Sequence, residues 1–147
     1  MLHDRHPLKP IVDEVPSDGS LTDERGWVGM DVKWLIAGST VGSRQTVVGR
    51  TVFPPGARHD LHRHPHAGEW EYVLRGEGVK RVGDDAIRVG EGEIVFVPQG
   101  VYHALENTSD TDLLVTIWGY CGAGSLAEAG YVLPGDSPGD GPAASSD

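Results

Sequence analysis

His62 and His64 stand two residues apart in a segment, residues 59–66, that holds four of the seven histidines of this chain. On an extended chain, side chains two apart share a face. Their imidazoles can therefore approach one ion from adjacent positions. Glu69 follows across a short bend containing Pro65 and Gly68, which can return its carboxylate toward the same point. His103 brings a third imidazole from a distant segment, aimed by Pro98 and Gly100. Three neutral imidazoles and one carboxylate suit Fe(II), Mn(II), Ni(II), Zn(II), Co(II) or Cu(II). They do not suit Ca2+, which prefers an all-oxygen shell. Structural zinc sites usually close their shell with cysteine, and Cys121 is the only one here. An open centre is therefore expected. On an octahedral ion, two positions stay free for water, O2 or a substrate. A plain surface cluster of histidines is the alternative reading of HRHPH taken alone.

Other residues are weighed against this centre. Glu71 shares the parity of Glu69 and on a regular strand points the same way. Glu69 and Glu71 are the candidate catalytic carboxylates: Glu69 as a ligand that could also carry a proton, Glu71 as a supporting group or general base. A bulge would turn Glu71 outward instead. Thr116 and Trp118 share a parity, and Trp118 is a candidate pocket wall or an interface aromatic. His59 and His66 are expected at the rim or in solvent. His3 and His6 have no assigned role. Tyr102 should face away from His103. Arg50 and Arg81 are expected at the surface. Cys121 lacks an activating base and is expected as a buried or edge thiol.

These residues need strands to hold them. A Gly count of 21 and a Pro count of 10 favour many turns and short elements, hence an all-β domain. Residues 27–38 predict one or two strands, and 46–53 (TVVGRTVF) another, stopped by Pro54-Pro55-Gly56. EWEYVLRG, GVKRV, AIRVG, EIVFV, VYHALEN and DLLVTIWGY extend the series, with a hairpin at Gly83-Asp84-Asp85. SLAEAG predicts one helical turn. IVFV and LLVTIW are apolar on both parities, so both faces should be covered. A second copy of the chain is the expected cover, giving a homodimer; the N-terminal arm is the alternative. The organisation read from the sequence is an arm or edge strand over 1–26, a barrel over 27–133 and a disordered tail over 134–147.

The two histidine segments resemble the two signature motifs of the cupin superfamily. The first motif is G(x)5HxH(x)4E(x)6G, and residues 56–76 fit it at every specified position. The second is G(x)5PxG(x)2H(x)3N, and residues 92–107 fit it fully. The 15 residues between Gly76 and Gly92 match a short inter-motif spacing. The resemblance implies a double-stranded β-helix, or jelly-roll barrel, with a metal in its bowl. It implies His62, His64, Glu69 and His103 as the ligands, and it agrees with a dimer.

Charge and composition narrow the partners. A net charge of −10 is a poor match for nucleic acid or an anionic membrane. No apolar run is long enough for a membrane span, no secretory signal is visible, and a cytoplasmic location is the default. The expected function is that of a metal-dependent enzyme acting on a small organic molecule that chelates the ion, as an Fe(II) dioxygenase. Non-redox isomerase, decarboxylase, lyase or cyclase chemistry is the rival, and a non-catalytic ligand-binding module is the third reading.

Overall fold

Alternating burial along the strands builds two facing sheets. In the computed structural model, which describes residues 1–136, ten strands follow one another: β1 (Trp27–Val28), β2 (Asp31–Ile36), β3 (Thr46–Phe53), β4 (Arg58–His62), β5 (Gly68–Arg75), β6 (Glu77–Val82), β7 (Asp85–Gly90), β8 (Ile94–Val97), β9 (His103–Glu106) and β10 (Leu114–Cys121). One sheet has the order β1-β4-β9-β6-β7 and the other β2-β3-β10-β5-β8. Every pairing is antiparallel. This is the all-β domain expected from the strand pattern, arranged as the jelly roll that the cupin resemblance implies. SLAEAG forms one helical turn, α2 (Leu126–Ala129), and a second turn, α1 (Gly38–Val41), links β2 to β3.

The strongest alternation lies in β3 and β10, two adjacent inner strands of the second sheet. Val47, Gly49, Thr51 and Phe53 of β3 are buried, as are Leu114, Thr116, Trp118 and Tyr120 of β10. The inward side chains form two apolar clusters. One gathers Trp27, Val32, Val47, Trp118, Tyr120 and Tyr131; the other gathers Phe53, Val73, Val89, Leu105 and Leu114. Met30 packs against both. The buried polar residues include His62, His64, Glu69, Glu71, Lys80 and His103, a large polar load for so small a barrel.

Residues 1–26 carry two 3-10 turns, Val12–Glu14 and Asp23–Arg25, in place of an edge strand. This arm meets β2, where the Asp18 amide donates to the Val32 carbonyl and Lys33 Nζ donates to the Val12 carbonyl. At the other end of the second sheet, β8 does not have both faces covered. Ile94 and Phe96 are 60% and 61% exposed. β8 is the edge strand of its sheet, and the outward parity of IVFV is left uncovered by this chain. In β10 the outward Val115 and Ile117 are half-buried. Of the stretch expected as a disordered tail, residues 134–136 are described and Asp136 pairs with Arg25 through two hydrogen bonds of 2.9 and 3.1 Å; residues 137–147 lie outside the described residues. Among the described residues no helix is long and apolar enough to cross a membrane.

Two motif residues prove to be architectural. Asn107 donates to the carbonyls of Phe53 and Asp112, both at 2.8 Å, and accepts from the Ser109 amide. It thereby ties the end of β3 to the loop before β10. Gly76 has a φ of +83°, and a side chain there would also overlap the Leu113 carbonyl.

Gly49, outside both motifs, clears the space in which Trp118 lies: a Cβ at this position would overlap the indole ring. Gly49→Ala should therefore destabilise the protein by about 1–3 kcal/mol in urea denaturation, the usual cost of overfilling a packed interior. Gly19→Ala, whose Cβ would enter open space, should change stability by less than about 0.5 kcal/mol.

Candidate metal centre

Strand register brings the two histidine segments together. β4 pairs with β9 so that His62 lies directly opposite His103. Beyond β4 the chain stays extended through Arg63, which is paired in both directions with Val132. The next residue, His64, accepts the Gly100 amide on its carbonyl at 3.0 Å. β5 of the opposite sheet then delivers Glu69. One nitrogen or oxygen from each of His62, His64, Glu69 and His103 lies within 4.8 Å of all the others, and all four residues are buried.

The protonation of the imidazoles follows from their partners. His62 Nδ1 lies 2.6 Å from the Asp60 carbonyl, His64 Nδ1 2.7 Å from the Gly130 carbonyl, and His103 Nδ1 2.9 Å from the Val101 carbonyl. A carbonyl can only accept, so each Nδ1 carries the proton and each neutral ring presents a lone pair at Nε2. All three Nε2 atoms are buried without a hydrogen-bond partner. Glu69 Oε2 stands 2.8 Å from His103 Nε2, and Glu69 Oε1 stands 3.7 Å from His64 Nε2. Lone pairs this close repel unless a cation lies among them. The donor set, its burial and its orphaned nitrogens all fit a divalent transition metal. Burial, followed by the neighbouring imidazoles, holds the His62 pKa well below that of a free histidine, which keeps its lone pair available. Burial alone would push the Glu69 carboxyl up; positive charge at the His103 and His64 nitrogens, as a proton or a metal ion supplies, together with the Lys80 ammonium, more than reverses this and holds it well below the ordinary range.

The other candidates fall into place around these four. Glu71 points inward. It accepts from Lys80 Nζ at 2.6 Å on one oxygen and from Thr116 Oγ1 at 2.8 Å on the other. Trp118 faces the bowl, and its indole donates to Thr51 Oγ1 at 2.8 Å. His66 is exposed, and Tyr102 lies under the Arg63 guanidinium, 5.7 Å from its ring centre. Arg81 is exposed, and Arg50 is half-buried 4.0 Å from Asp31. Cys121 is a free, exposed thiol at the end of β10.

His59 stands half-buried at the rim of the bowl, outside the four donors, and is held there by its neighbours. An irregularity in the β4–β9 pairing between His59 and His62 breaks the simple alternation. As a result His59 stacks on His62 with ring centres 3.7 Å apart and on Trp27 at 4.1 Å. Its Nε2 bonds the Tyr131 hydroxyl at 3.1 Å. That hydroxyl donates to the Arg25 carbonyl at 2.6 Å.

Lys80 and Tyr131 escaped sequence reasoning. In GVKRV two cations stand side by side, and without the register neither can be placed inside. Tyr131 lies beyond both motifs. The bowl itself is tight. The space among His62, His103, Glu69, Lys80, Trp118 and Tyr120 amounts to about 10 Å³, room for one water-sized group.

Residues 49–120 match the cupin domain family. The chain is 30% identical over 94 residues to an oxalate-binding protein of Thermotoga maritima, covering 63% of this chain and 78% of that protein. It is 30% identical over 79 residues to the tetracenomycin polyketide synthase protein TcmJ of Streptomyces glaucescens, 54% of this chain and about half (53%) of that relative's length. Among solved structures, a predicted oxalate decarboxylase from Thermotoga maritima superposes with a TM-score of 0.68 at 24% identity, over 77% of this chain and 97% of the other. An oxalate oxidase superposes with a TM-score of 0.64 at 20% identity, over 81% of this chain and 59% of the other. Both show the shared fold.

The packing around His62 and His59 has a measurable signature. Both imidazoles are held below the value of 6.5, His59 chiefly by loss of solvent. The unfolded chain therefore binds more protons than the folded one once pH falls below about 6.5, and stability must drop with it. Thermal melts of chelator-treated protein should give a midpoint that is level above about pH 6.5 and falls beneath it. His59→Phe keeps the stack and removes one titrating ring, so its decline should be shallower.

Proposed function

The chain belongs to the cupin family, and on that premise we propose that it is a metal-dependent enzyme acting on a small organic acid that chelates the ion. His62, His64, Glu69 and His103 hold the metal. The observation that carries this reading is the convergence of three buried, lone-pair-bearing Nε2 atoms on one carboxylate with no internal hydrogen bond to satisfy them. When bound, a divalent ion supplies Lewis acidity and two exchangeable positions. The protein's own part is to fix the imidazole tautomers through three backbone carbonyls, to exclude water, and to hold Glu69 where it can move a proton. The oxalate-binding relative makes oxalate, with its two adjacent oxygen donors, the first acid to test. Elemental analysis should find about one metal per chain, and His62→Ala should lose most of it. Unchanged metal content in the variant would overturn the proposal.

Two reaction classes fit this centre. With Fe(II) the reading is a dioxygenase, which consumes O2 with each turnover. The second class is non-redox. The bowl is tight, at about 10 Å³. Admitting even a two-carbon acid requires a wall residue to move, and Met30, unbranched and half-buried, is the one freest to do so. Decarboxylation of oxalate, which yields carbon dioxide and formate on uptake of one proton, consumes no O2. Formate appearing with no net O2 uptake is the expected result. One O2 consumed per turnover would restore the dioxygenase.

A homodimer is part of the same reading. Pairing of β5 with β8 sets Trp70 beside Phe96 and Tyr72 beside Ile94 on the outer face of the second sheet. Leu74, Ile94 and Phe96 are exposed there, next to half-buried Val115 and Ile117 of β10. A contiguous apolar face of this kind suits a second copy of the chain. Phe96→Glu should convert a dimer to a monomer in light scattering at unchanged metal content. A wild-type monomer would overturn this part. The free exposed thiol of Cys121 supports residence in a reducing compartment such as the cytoplasm.

A further inference from the structure

Lys80 is the feature of the bowl that metal binding leaves unused. It stands on β6, in the sheet opposite Glu71, and only 2% of it is exposed. A buried ammonium has three N–H donors to satisfy. One goes to Glu71 Oε1 at 2.6 Å. The nearest oxygen of Glu69 is 3.9 Å away, an ion contact too long for a hydrogen bond. Two donors are therefore uncommitted, in a side chain that lines the cavity with His62, His103 and Glu69.

Glu71 cannot easily take a different part. Both of its oxygens are engaged, one by Lys80 and one by Thr116. It acts as a strut that holds the ammonium at the cavity wall. Charge counting leads to the same place. Two carboxylates and one ammonium leave the bowl at −1, and a divalent ion raises it to +1. A net charge in a dry interior is costly until a counter-charge arrives. A neutral ligand leaves that charge standing, whereas a monoanionic carboxylate cancels it, a dianion such as oxalate returns the bowl to the −1 of its metal-free state, and either supplies an acceptor for the spare Lys80 donors.

We propose that Lys80 is the anion-recognising residue of this bowl, hydrogen-bonding a carboxylate oxygen of a two- or three-carbon acid that chelates the metal, with Glu71 and Thr116 as positioning residues. The inference rests on the metal reading above and adds the substrate class. The site selects small acids carrying a carboxylate beside a second oxygen, and it discriminates against uncharged chelators of similar size. A carboxylate bound this way receives a charge-assisted bond on the side away from the ion, which orients it as well as holds it.

The test is calorimetric and needs no turnover. Wild-type, Lys80→Met and Glu71→Gln proteins are loaded with Mn(II), their metal content is counted, and each is titrated with oxalate and with oxamide, its uncharged diamide of the same shape. Lys80→Met should retain its metal, bind oxalate about tenfold or more weakly, and bind oxamide as wild type does. Glu71→Gln frees the ammonium from its counter-ion and should bind oxalate about fivefold more tightly. This variant carries the test should Lys80→Met fail to fold. Metal-loaded Lys80→Met that binds oxalate like wild type would overturn the inference, as would Glu71→Gln with unchanged or weaker affinity. Wild-type protein that takes up no metal would overturn the underlying metal reading instead, so the two failures are told apart by the metal count.

Discussion

Four lone-pair donors held within 4.8 Å of one another in a dry interior repel, and the barrel is built to keep them together all the same. The β4–β9 register sets His62 against His103, and β5 delivers Glu69 from the other sheet. Backbone carbonyls at Asp60, Gly130 and Val101 fix the three rings. The apolar clusters on either side keep water out. Each of these keeps the donor set together, an arrangement that fits a divalent cation. The strain between unfilled donors is offset by the rest of the fold, as is usual where local stability yields to function.

The electrostatics extend one shell further. Lys80, Glu71 and Thr116 form a second polar group that joins the two sheets across the bowl. Burial would draw the Lys80 ammonium down, but Glu71 and Glu69 more than offset it and keep the side chain charged. The interior thus holds two opposed features close together. One side offers lone pairs to a cation, and the other offers N–H groups to an anion. A molecule able to use both must carry negative charge and reach the ion at once.

Much of the fold was legible because strand patterns are local. TVVGRTVF and DLLVTIWGY each map to an inner strand with its inward parity intact. The hairpin at Gly83 was legible for the same reason: its turn chemistry lies within a few residues. The four donors were legible because glycine, proline and histidine spacing records where turns must fall. What was hidden depends on contacts between distant segments. The stack of His59 on His62 could not be read, since the irregularity that turns the ring there exists only in the paired strands. Lys80 was hidden because parity within β6 says nothing of which face meets the other sheet. The outer face of β8 is left uncovered by its own chain, and an apolar run reads the same whether its cover is its own chain or a second copy.

The carbonyl that orients His64 belongs to Gly130, 66 residues downstream and past the tenth strand. The next residue, Tyr131, braces His59 and reaches back to the Arg25 carbonyl. During synthesis the imidazoles of His62 and His64 leave the ribosome long before this brace does. Until it arrives, His64 is free to rotate and the nest of donors is incomplete. The four-donor arrangement is thereby completed only once the whole barrel has been made.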